Sequence, residues 1–125
     1  MKQVMFAVIM ILLFSSFTGR RHYVKLAFQN NTGKDIKTLK VNIRGREFSF
    51  TNVHQGTLTK VILVPETYAY CYAKAITAKD TLICQPTDFV GEKLYRSGGY
   101  VMKLFLIQGQ KYMRMEFEPL PATKP

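Results

Sequence analysis

The segment Thr38-Leu39-Lys40-Val41-Asn42-Ile43-Arg44-Gly45-Arg46-Glu47-Phe48-Ser49-Phe50-Thr51 decides how this chain folds. Leu39, Val41 and Ile43 alternate with Thr38, Lys40 and Asn42, and after Arg44-Gly45 the pattern resumes, with Phe48 and Phe50 set against Glu47, Ser49 and Thr51. A period of two marks a half-buried strand, because successive side chains of an extended backbone point to opposite faces. Two such runs joined by a short pair ending in glycine predict a tight hairpin.

The same reading extends in both directions. Upstream, Val24, Leu26 and Phe28 alternate with Lys25, Ala27 and Gln29, and the run ends in the turn cluster Asn30-Asn31-Thr32-Gly33-Lys34. Downstream, a loop through His54-Gln55-Gly56 leads to a strand over Leu58–Val64, closed by Pro65-Glu66. Tyr68–Ile76 reads as a fifth strand and Thr81–Gln85 as a short sixth, stopped by Pro86, which has no N–H for a ladder. Tyr100–Ile107 and Lys111–Glu118 form a closing hairpin across Gln108-Gly109-Gln110. No stretch keeps a 3.6-residue period over three turns. The expectation is an all-β chain, one immunoglobulin-like β-sandwich of seven or eight antiparallel strands.

The N-terminus follows a different pattern. Met1-Lys2-Gln3 precedes an apolar run from Val4 to Phe14, and small and polar residues then lead to Arg20-Arg21. That run is shorter than the roughly 20 residues a membrane-spanning helix needs, and its order matches a secretory signal. Residues 1–19 are therefore read as a signal peptide, with an uncleaved signal anchor as the alternative, and 20–125 as the sandwich domain with a Pro-rich tail over 119–125. The expected location is periplasmic or secreted, or tethered to the membrane by the N-terminal segment. No cysteine ends the apolar run, which argues against a lipid-anchored form.

Composition narrows the class of function. Eighteen Lys and Arg against eight Asp and Glu give a formal charge of +10. Eight of those cations lie between Arg20 and Arg46, with Asp35 the single acid among them. A basic surface concentrates anionic partners such as glycans and lipid head groups, and export disfavours nucleic acid. Lys34, Lys40, Arg44 and Arg46 are the candidate anion-binding set; a charged edge that blocks sheet-to-sheet aggregation explains them equally simply.

Cys71 and Cys84 are the only cysteines, an even count in an exported chain, so a disulfide is expected. The register of the hairpin between them decides its geometry. A turn over Thr77–Asp80 puts Cys84 opposite Ala73, one diagonal step from Cys71. A turn centred on Lys79 puts the thiols on opposite faces.

The stretch Asn30-Asn31-Thr32-Gly33 through Ile36, the Gly56 turn, and Cys84-Gln85-Pro86-Thr87-Asp88-Phe89-Val90-Gly91-Glu92 with Gly99-Tyr100 resembles small exported bacterial β-sandwich proteins of uncharacterised function. The resemblance covers most of the mature chain. It implies an immunoglobulin-like or related sandwich and transfers no catalytic residue.

Chemistry is thinly supplied. The two histidines are His22, near the N-terminal end of the domain, and His54, in a loop. A Cys84–His54 nucleophile pair can be written down, but nothing local orients either residue. Asp88 and Glu92 sit among turn residues, and no metal-ligand or phosphate-loop spacing is present, so no cofactor and no metal are expected.

Tyr68, Tyr70 and Tyr72 share one strand face, opposite Ala69, Cys71, Ala73 and Ala75. An outward tyrosine face offers flat rings to sugars or to a protein partner; an inward one is core. Ile76 on the tyrosine side favours core and Lys74 favours surface, with the balance toward core. The functional expectation is a non-enzymatic binding module for a protein partner, an anionic glycan or the envelope surface. A small enzyme or enzyme inhibitor using the 86–99 loop is the alternative.

Overall fold

The computed structural model of the chain describes residues 22–86 and 92–121. The segment read as a signal, Asp88 and the last four residues lie outside the described residues. Eight strands follow in order: β1 Val24–Asn31, β2 Ile36–Ile43, β3 Arg46–Val53, β4 Ile62–Val64, β5 Tyr72–Ile76, β6 Thr81–Cys84, β7 Gly98–Leu106 and β8 Met113–Pro119. They form two four-stranded sheets, in the orders β4-β1-β7-β8 and β3-β2-β5-β6. Among the described residues no helix is long and apolar enough to cross a membrane.

The opening hairpin forms as the alternation predicts. Ile43 pairs with Arg46 across Arg44-Gly45, and both turn residues have positive φ, +50° and +91°. Two left-handed residues in a two-residue loop match the twist of the strands they join. Leu39, Val41 and Ile43 are buried, and Phe28, Leu26, Met102 and Leu104 meet them from the other sheet in one core. Each such side chain, withdrawn from water, stabilises the fold by about 1.5–3 kcal/mol.

Three expectations are corrected. Not every strand is antiparallel: β1 runs parallel to β7 over its whole length, Val24 beside Gly98 through Asn31 beside Phe105. Parallel neighbours need a long crossover, and here sheet β3-β2-β5-β6 lies on the chain between them. The Leu58–Val64 strand is broken into a bridge at Leu58, beside Gln29, and the short β4. The Pro-rich tail starts later than 119, because Pro119 still pairs with Tyr100 and the Leu120 N–H donates to the Gly99 carbonyl at 2.9 Å.

Asn30, at the buried end of β1, holds several elements together. Its amide donates to the carbonyls of Lys34 (2.7 Å) and Val53 (2.9 Å). Its side-chain oxygen accepts from the Thr32 N–H (3.1 Å) and hydroxyl (2.6 Å). A fully buried amide is tolerated only when satisfied in this way. On one side the sheets are joined: the Ile83 N–H donates to the Lys111 carbonyl at 3.1 Å beside an Ile83–Tyr112 bridge.

Candidate functional site

The crossover from β4 to β5, residues 65–71, covers one end of the sandwich, the end that also carries the Arg44-Gly45 turn. Thr67 fixes it there: its N–H donates to the Tyr95 carbonyl at 2.9 Å and accepts the return bond from the Tyr95 N–H at 2.8 Å through its own carbonyl. Tyr95 is itself wedged against Tyr100 and Phe117, with ring centroids 5.1 and 4.8 Å away. The crossover therefore stands on packed aromatic groups.

From this support Tyr72 faces outward, while Tyr68 and Tyr70 are half-buried. Cys71, Ala73 and Ala75 point into the core, at 5%, 0% and 0% exposure, and Tyr72 is 38% exposed. The balance toward a tyrosine core is corrected at Tyr72. The inward positions lie across from Val41 and Leu39, and the opposite sheet brings Phe28 and Met102 into the same core.

Tyr68, Tyr70 and Tyr72, with Asn42, Arg44 and Cys71, line a cleft of about 490 Å³. The Arg44 guanidinium lies 5.4 Å from the centroid of the Tyr68 ring and 3.0 Å from Glu66 Oε1. Glu66 also meets Arg96, Nε to Oε2 3.4 Å, so two guanidinium groups share one carboxylate. A second cleft of about 260 Å³ continues over the outer face of sheet β3-β2-β5-β6, lined by Lys40, Val41, Asn42, Glu47, Tyr72 and Lys74. Asn42 and Tyr72 line both. They are directly paired across β2 and β5, which makes the two clefts one continuous track.

Lys74 is the residue that sequence reasoning did not connect. It stands directly opposite Lys40. Like charges at opposed cross-strand positions destabilise a sheet, and among the described residues neither ammonium has an ion pair.

The expected four-residue cation set does not assemble. Lys34 lies at the far end of β2, roughly 24 Å away along an eight-residue strand, where its ammonium sits 2.9 Å from Asp80 Oδ2. That hydrogen bond and charge, with help from Lys111 and Lys79, hold the Asp80 carboxyl below its ordinary value of 3.8. Arg46 lies over the Phe48 ring at 5.4 Å. Arg44 and Arg46 still line a common cleft of about 230 Å³ with Glu66, and Lys40 and Arg44 remain on the track.

No disulfide joins Cys71 and Cys84, which correct that expectation as free, buried thiols. The register is the one set by a Thr77–Asp80 turn, with Cys84 opposite Ala73. Burial pushes the Cys71 thiol far up, with Cys84 adding to it, and burial raises Cys84 as well. Neither is an activated nucleophile. His54 Nδ1 lies 3.7 Å from Asp35 Oδ1 at the opposite end from Cys84, so that pair is not brought together. Among the described residues no group of three His, Cys, Asp or Glu is placed to hold a metal.

No family model, curated protein or solved structure matches this chain. The track is therefore interpreted on its own chemistry.

Proposed function

We propose that this chain is a non-catalytic binding module of the cell envelope or exterior, and that it holds an anionic glycan along the tyrosine–lysine track. The observation that carries the proposal is the opposed Lys40 and Lys74 pair, with no ion-paired acid among the described residues and continuous through Tyr72 with an aromatic cleft. Sugar rings stack on tyrosine faces, and a sulfate or carboxylate between two ammonium groups relieves their repulsion. Glu47 lines the same cleft and repels the ligand's acidic groups toward the lysine side. The frame of two four-stranded sheets is of the kind on which immunoglobulin-like domains carry binding surfaces at one end. Export rests on the apolar run Val4–Phe14.

Calorimetric titration with dextran sulfate and with neutral dextran tests this reading. Dextran sulfate binds, neutral dextran does not, and Tyr72→Ala weakens the complex about tenfold, the scale of one lost aromatic stacking contact. Equal binding of neutral dextran, or indifference to Tyr72→Ala, overturns it.

A further inference from the structure

Three sulfur-bearing side chains from separate parts of the chain are buried in the same core beneath the tyrosine cleft. Cys71 ends the crossover, Cys84 ends β6, and Met102 lies within β7 on the opposing sheet. The Cys71 thiol points at the Met102 thioether, Sγ to Sδ 3.8 Å. Cys84 pairs with Ala73, which makes it the diagonal neighbour of Cys71 on the same inward face, within side-chain reach. Met102 is fully buried, Cys71 and Cys84 nearly so, and neither thiol is bonded. Cys71 also lines the cleft, so the group has a route from solvent.

We propose that Cys71, Cys84 and Met102 form a site for one soft monovalent cation of the copper(I) or silver(I) type, entered through the tyrosine cleft. Thiolate and thioether donors select soft ions over magnesium, calcium and manganese. The Cys71–Met102 separation of 3.8 Å agrees: two sulfurs sharing a three-coordinate ion, with bonds of about 2.3 Å, stand about 4 Å apart. Charge agrees too. A monovalent ion displaces one thiol proton to solvent and is held by one thiolate, one neutral thiol and the thioether. The buried site then carries no net charge, as an apolar interior requires. A divalent ion reaches the same neutrality only when both thiols lose their protons. The site is separate from the glycan track and does not depend on it.

Silver(I), which needs no reductant, is the probe: silver nitrate titrated into the full protein at neutral pH, followed by calorimetry and native mass spectrometry. The expected result is one silver ion per chain with loss of one proton. Met102→Leu conserves volume and keeps the fold, yet weakens binding by at least about tenfold, the scale on which even an outer-sphere partner acts. Cys84→Ser does the same, and zinc at equal concentration does not compete. If Cys84→Ser fails to fold, Met102→Leu decides alone. Unchanged affinity in Met102→Leu, more than one silver ion per chain, equal competition by zinc, or isolated protein whose two thiols are already joined would each overturn the proposal.

Discussion

Replacing Asn30 with alanine removes four hydrogen bonds from a site that water does not reach. The Lys34 carbonyl keeps one partner, because the Thr32 hydroxyl also lies 3.2 Å from it. The Val53 carbonyl and the Thr32 N–H lose the amide and are left facing the cavity. An unsatisfied buried polar group costs about 1–3 kcal/mol. Taking about 1.5 kcal/mol for each of the two gives a loss of about 3 kcal/mol. For a domain of about 100 residues that lowers Tm by about 12–24 °C. Urea unfolding followed by circular dichroism measures the loss as a fall in midpoint at constant slope. Gln29→Ala, one residue away, is the control: its amide donates an exposed bond to the Gly56 carbonyl at 3.3 Å and accepts a long one from the Asn31 amide at 3.5 Å, and its removal stays within about 0.5 kcal/mol. Asn30→Ala within 1 kcal/mol of the native protein, taken as the resolution of about this assay, refutes the reasoning.

Gly45→Ala meets no atom that would crowd an added Cβ. Its cost is the left-handed backbone at φ +91° alone, about 1–2 kcal/mol; an unchanged unfolding midpoint would contradict the positive-φ turn. The depressed Asp80 carboxyl stabilises the fold above its ordinary value, and that contribution disappears as pH falls through the lower folded value. Lys34→Gln moves the Asp80 carboxyl titration upward toward 3.8 by NMR, and an unmoved titration refutes the Lys34 attribution. Both thiols react with a bulky aromatic disulfide reagent only on unfolding, since burial keeps them protonated. Rapid reaction in the native protein would show that they are not buried.

Alternation made the hairpin from Thr38 to Thr51 legible, because its information is local: Leu39, Val41 and Ile43 alternate with polar residues in β2 and Gly45 permits the turn. The hidden parts depend on pairing between distant segments. Nothing near Lys74 announces that Lys40 will stand beside it, since the β2–β5 register is set by turns far from both. The parallel seating of β1 on β7 was hidden for the same reason. Asn30 reads as turn chemistry and is instead buried strand, satisfied by carbonyls 4 and 23 residues away. The tyrosine face was ambiguous because aromatic rings suit either side of a sheet; in β5 the buried Ala73 and Ala75 leave Tyr72 on the outer face, while Tyr68 and Tyr70 precede the strand and are half-buried.

A charge-matched comparison tests the central claim most directly. Lys40→Gln/Lys74→Gln and Lys25→Gln/Lys60→Gln remove the same charge, the first on the track and the second from exposed lysines elsewhere. Affinity for dextran sulfate is then measured across a salt series. The track account expects the first variant to lose at least about tenfold in affinity, the equivalent of about 1.4 kcal/mol, with a shallower salt dependence. It expects the second to stay close to the native protein. Equal losses in the two variants would mean that the ligand responds to overall charge, and would contradict a built site at Lys40, Lys74 and Tyr72.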